Sequence, residues 1–125
     1  MFKTILLVGI GGAMGSILRY VSHYLTTKYY QGTFPLSTLL VNVLGSLLIG
    51  LFIGYISKYF PENHPLKFLL IVGFCGGFTT FSSFALENYN LFQNNHQMLA
   101  YFYILLSVIL TITSVGIGNY LAKFL

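Results

Sequence analysis

One hydrophobic stretch of this chain, Gly73-Phe74-Cys75-Gly76-Gly77-Phe78-Thr79-Thr80-Phe81-Ser82-Ser83-Phe84, sets three glycines and four hydroxyls among apolar side chains. Glycine weakens a helix by about 1 kcal/mol relative to alanine, so the adjacent pair Gly76-Gly77 invites a break near Gly76–Thr80. Small residues also serve close helix packing, but the hydroxyls that follow at once give such a break a polar solute to meet. Asn42 lies midway between Thr38 and Ser46 at four-residue spacing, which puts an amide and two hydroxyls on one helical face. Tyr103, Ser107, Thr111 and Ser114 fall at i, i+4, i+8 and i+11 and form a second stripe. An amide in hydrocarbon must find a partner, on a neighbouring helix or on a solute. Hydroxyls in helices also bond back to their own carbonyls, so the second stripe fits either use.

The chemistry open to these groups is narrow. The chain has no aspartate; its glutamates are Glu62, in a polar separator, and Glu87, near the end of a hydrophobic stretch. Ion-coupled transporters place a carboxylate inside the membrane. His23, His64 and His96 stand near the ends of apolar runs or between them, without a nucleophile beside them, and no Cys/His spacing suits a metal. Catalysis is therefore not expected. The lone Cys75 has no intramolecular disulfide partner. What remains is a neutral set of amide, hydroxyl and phenol donors, which suits a small anion. Phe81 and Phe84, three apart, can add ring edges, the positive part of an aromatic quadrupole. Two phenylalanines at that spacing equally suit core packing.

The elements that must position these groups are helices in a bilayer. The 125 residues suffice for one small domain. They are 56% hydrophobic and 6% charged, with a mean hydropathy of +0.80, where soluble domains carry about 25% charged residues. A membrane-spanning helix needs about 20 apolar residues, and four stretches qualify: Thr4–Thr27, Pro35–Ser57, Pro65–Tyr89 and Met98–Ala122. The separators are polar: Tyr29–Thr33 with Gly32, Lys58–His64 with Pro61, and Asn88–Gln97 with four asparagines. The first run leads into further spans, unlike a cleavable leader. Gly11/Gly15 and Gly12/Ser16 in the first span, and Ser46, Gly50 and Gly54 in the second, read as packing faces. Gly9-Ile10-Gly11 is no dinucleotide fingerprint, since Met14 takes the place of its last glycine. The net charge of +4 comes from scattered residues, so no nucleic-acid partner is expected. The expectation is an all-α, multi-pass protein of the cell membrane, one four-helix domain in contact with lipid, its third helix broken.

Taken together, three blocks resemble the CrcB/Fluc family of fluoride channels: Gly11-Gly12-Ala13-Met14-Gly15-Ser16-Ile17-Leu18-Arg19-Tyr20, Ser37-Thr38-Leu39-Leu40-Val41-Asn42-Val43-Leu44-Gly45-Ser46, and Gly73 to Phe84. The third is the most specific, and the resemblance covers essentially the whole chain. It implies a passive, fluoride-specific channel that lowers cytoplasmic fluoride. It also implies an antiparallel, dual-topology homodimer with two pores and a structural Na+ that is not transported. By motif position, Phe81 and Phe84 become pore phenylalanines and Asn42 a pore asparagine. Ser82 and Ser83 stand beside the ion path, and Tyr103, Ser107 and Thr111 become its polar track. Arg19 becomes the basic residue of the vestibule, and Thr38 a threonine at the pore mouth. The sodium ligands become the main-chain carbonyls of Gly76 and Thr79 from each subunit, and unwound backbone does supply such oxygens to cations. Ser37 departs from a common glycine, and Ser83 from a common threonine.

With both termini on one side, Lys3, Lys58, Lys67 and Lys123 face Lys28 and Arg19 on the other, a bias toward cytoplasmic termini. That leaves a partner of the same sequence or a paralogue of opposite orientation. The competing function is a small four-helix transporter of the multidrug-resistance kind, which also forms antiparallel dimers. It wants a carboxylate in the first span, and Met1 to Tyr30 holds none. A structural helper in a larger membrane complex has no need of the broken third span.

Overall fold

The computed structural model describes residues 1–125, all helical and turn. Helix α1 runs Phe2–Tyr29 and α2 runs Leu36–Tyr59. The third span begins as a π-helical segment, Lys67–Cys75, and tightens to one turn, α3, at Gly76–Phe78. It opens at Thr79 and Thr80 and resumes as α4, Phe81–Gln93. Helix α5 covers Gln97–Leu121 and ends in a short 3₁₀ turn, Ala122–Phe124. Four helical spans are long and apolar enough to cross a membrane, and the chain is a multi-pass membrane protein. Their outer faces carry exposed Ile5, Leu6, Ile10, Leu105, Ile109 and Ile112, a surface that only lipid or another protein can match.

The break lies within the stretch expected to hold it. Thr79 (φ −85°, ψ 158°) and Thr80 (φ −148°, ψ 117°) are extended, so two residues leave the helix and a new one starts. Thr80 caps the new helix: its hydroxyl accepts from the Ser83 amide at 3.1 Å, and such a side-chain cap contributes about 1 kcal/mol. Two features differ from the sequence reading. The third span continues to Gln93 instead of stopping at Tyr89, so much of the expected polar separator is helix; Asn88 is buried in it, with its amide donating to the Phe84 carbonyl at 2.9 Å. The helix ends where Asn95 turns left-handed (φ 63°), and the amides of Asn95 and His96 close back on the Phe92 and Leu91 carbonyls, a Schellman-type stop that asparagine tolerates. The π winding of Lys67–Cys75 has no sequence signal we can name.

Two helix pairs are held by close backbone approach. On α1, a Cβ at Gly11 would lie 2.8 Å from the Phe74 nitrogen, and one at Gly15 would lie 2.7 Å from that of Phe78, so this face admits only glycine against the third span. On the other side, a Cβ at Gly118 of α5 would lie 2.8 Å from the Leu51 nitrogen of α2. Small residues at such crossings let van der Waals contact and backbone approach replace the hydrophobic effect, which lipid does not provide. A core of Leu39, Leu91, Ala100 and Tyr103 joins α2, α4 and α5. At the end of the bundle that holds the C-terminus, the Lys58 ammonium donates to the Lys123 carbonyl (3.3 Å) and the Tyr59 hydroxyl to that of Leu125 (2.9 Å).

Candidate anion site at the helix break

The break is held open by Asn42. Its Oδ1 accepts from the Thr80 amide at 2.8 Å, and its Nδ2 donates to the Thr80 carbonyl at 3.1 Å. One side-chain amide thus satisfies both backbone polar groups of one residue at the break, as buried backbone requires. Asn42 can do this because Gly45, one turn on, lets α2 approach Thr79: a Cβ there would collide with the Thr79 methyl. The sequence reading set Asn42 on the ion path; the structure gives it this second task.

Two cavities meet at the break, with Thr80 lining both. The larger, about 440 Å³, is walled by Asn42, Phe81, Phe84, Ser107 and Thr111, together with Gly76 and Thr79. No charged residue lines it. Phe81 and Phe84 stand with ring centroids 5.5 Å apart at 41°, and Phe84 lies 5.1 Å from Tyr103. The Ser107 hydroxyl is buried and has no partner among the protein's own groups, an unusual state for a buried donor. The Thr111 hydroxyl bonds back to the Ser107 carbonyl at 2.6 Å.

The smaller cavity, about 290 Å³, brings together Arg19, Thr38 and Ser83 with Ser16, His23, Ser37 and Glu87. Glu87 is held from two sides: the Tyr103 hydroxyl donates to one carboxylate oxygen at 2.9 Å and the Thr38 hydroxyl to the other. Tyr103 is completely buried and lines neither cavity. Ser82 is exposed and also lines neither, although its hydroxyl is 3.3 Å from that of Thr80.

Sequence reasoning passed over two residues and left a third with two readings. Glu87 was set aside as lying near a span end, yet Thr80, Ser83 and Glu87 follow a 3–4 spacing that puts them on one face. Ser46, read both with Thr38 and Asn42 as a polar face and with Gly50 and Gly54 as packing, lines the larger cavity. The other residue passed over is His23, whose ring Nδ1 lies 3.2 Å from the Ser37 hydroxyl; nothing in the linear sequence pairs two residues from different helices.

Residues 6–119 match the family described as CrcB-like protein, Camphor Resistance (CrcB). A fluoride-specific ion channel FluC from Flavobacterium psychrophilum is 47% identical over 121 residues, 97% of this chain and 98% of the relative. One of the same description from Azobacteroides pseudotrichonymphae is 43% identical over 124 residues, 99% of each chain. Another, from Ignicoccus hospitalis, is 42% identical over 97% of this chain and 96% of the relative. A match along nearly the whole length, around a broken third span clamped by an asparagine, shows that the chain belongs to the CrcB-like family.

Proposed function

We propose that this protein is a fluoride-specific ion channel that conducts the anion passively and lowers its concentration in the cytoplasm. The larger cavity carries the reading. It is neutral throughout, holds a buried Ser107 hydroxyl with no protein partner, and is walled by two phenylalanine rings. A hydroxyl donor in an apolar space has the most to gain from a charged acceptor, and ring edges add a weak, directional attraction for the same ion. Family membership and the relatives named fluoride-specific channels support the assignment. Asn42, Phe81, Phe84, Ser107 and Thr111 form the path through this cavity, with Ser83, Thr38 and Arg19 in the smaller cavity at its mouth. Tyr103 acts from behind by fixing Glu87. Ser82 lies outside both cavities and joins the path only where a second subunit covers it. The test is ion release from liposomes holding the purified protein: fluoride should leave rapidly and chloride should not. Equal release of both ions, or of neither, would overturn the assignment.

The working form is a homodimer of opposed subunits. Phe81 walls the larger cavity, yet 79% of its surface is open in the single chain, and Gly76 beside it is exposed. A second subunit across this face would close the wall. The main-chain carbonyls of Gly76 and Thr79 fit a sodium ion: no backbone hydrogen bond outside the regular helices ends on either, and neutral carbonyl oxygens suit a hard cation. One chain offers two such oxygens, so a dimer would complete the set. Bound there, sodium supplies positive charge beside the anion path and ties the two broken spans together. Replacing sodium by a large organic cation should therefore shift the protein toward monomer and slow fluoride release together. Labels placed near Lys28 and at the C-terminus should each be reachable from both sides of the membrane. Full assembly and flux without sodium would exclude the ion's role, and one-sided labelling of active protein would exclude the opposed arrangement.

A further inference from the structure

The fluoride-channel reading leaves His23 without a task, and the smaller cavity supplies one. His23 lies one helical turn beyond Arg19 on α1, and both line this cavity. Its ring Nδ1 is 3.2 Å from the hydroxyl of Ser37, a buried residue next to Thr38 at the start of α2. The pair joins the start of α2 to an imidazole on α1. The charged and titratable groups around it can be named element by element. Helix α1 offers Arg19 and Tyr20, with Lys28 in its last turn. Helix α2 faces it with the neutral Ser37 and Thr38. Helix α4 presents Glu87, and α5 lines no part of the cavity, its Tyr103 hydroxyl donating to that carboxylate from behind.

We propose that His23 makes anion entry acid-responsive: protonation of its ring adds a positive charge and a free hydroxyl donor at the mouth of the fluoride path. Imidazole is the side chain that ordinarily changes charge between pH 5 and 8. With Glu87 ionised, Arg19 and Glu87 cancel, so a neutral His23 leaves the cavity without net charge and a protonated one leaves it positive. A single-sign cleft with low-dielectric walls concentrates ions of the opposite sign and raises their entry rate. The hydrogen bond to Ser37 changes as well. A neutral ring can accept the Ser37 hydroxyl proton through Nδ1, whereas a protonated ring can only donate. The Ser37 oxygen then becomes the acceptor, and its own proton turns free to meet an anion. Glu87 is already engaged by the hydroxyls of Thr38 and Tyr103, and His23 by that of Ser37. The device fits the chemistry of the ion, since acid outside a cell drives neutral HF inward and raises the load to be exported.

The inference rests on the channel reading, and one experiment separates them. Fluoride release from proteoliposomes is measured at pH 7.5 and 5.5 with protein-free vesicles subtracted for HF leak. The comparison covers the natural protein, His23→Gln, which can still bond Ser37 but never charges, and His23→Arg, which is always charged. The natural protein should release fluoride faster at pH 5.5 by about tenfold, while both variants should show a ratio near one, His23→Arg at the higher rate. His23 is exposed on the helix surface, and monodisperse elution of each variant verifies folding. Should His23→Gln not elute as folded protein, the pH ratio of His23→Arg decides alone. A folded variant that keeps the natural pH ratio would overturn the role of His23 and leave the channel intact. No fluoride release by the natural protein at either pH would overturn the channel, and this proposal with it.

Discussion

Phe81→Ile is expected to lower fluoride release at least tenfold while leaving a folded protein. The side chain is mostly open in the single chain, so an apolar, smaller residue disturbs little of the protomer; an imperfect replacement in a packed site loses about 1–3 kcal/mol at most. What disappears is the ring edge beside Phe84, at a centroid spacing of 5.5 Å, the only partial positive charge this side chain can offer. An anion that has shed water in a cavity without charged walls depends on every remaining partner, and each 1.4 kcal/mol added to the barrier slows passage about tenfold. Flux through equal amounts of intact reconstituted protein is the measurement. Parental rates in the isoleucine variant would show that Phe81 only fills space.

Asn42→Leu is expected to damage stability and conduction together, which separates the two tasks of this residue. Leucine is close in size but leaves the Thr80 amide and carbonyl, now held at 2.8 and 3.1 Å, without partners in a buried position. An unsatisfied buried backbone group costs about 1–3 kcal/mol, so losing two places the expected destabilisation at roughly 2–6 kcal/mol by the same principle. Thermal unfolding in detergent should drop well below the parent, and fluoride release should fall with it because Thr80 caps α4 and carries Phe81 and Phe84. If Asn42 served the ion alone, an apolar replacement would stop flux with an unchanged or higher unfolding temperature. That outcome would remove the clamp from the account.

The amino-acid order by itself determined that this chain is four helices in a membrane, because few charges and four long apolar runs leave no other solvent and no other backbone geometry. It also pointed to the stretch in which the third helix opens, although Gly76 and Gly77 stay helical and the chain opens at Thr79 and Thr80, where Thr80 caps the next helix. Gly11 and Gly15 were legible as a packing face because their lack of side chain has one use at that spacing. Hydroxyls carry no such restriction. Ser82, Ser83, Ser107 and Thr111 look alike in the linear sequence, and their surroundings differ because neighbouring helices decide which are buried, back-bonded or left facing a cavity. Only the tertiary structure paired Asn42 with both polar groups of Thr80, Glu87 with Thr38 and Tyr103, and His23 with Ser37. Each pair spans two helices whose relative height depends on glycine contacts elsewhere, such as Gly45 against Thr79 and Gly118 against α2. The polar residues were visible as candidates; their partners were set by how far the backbones could approach.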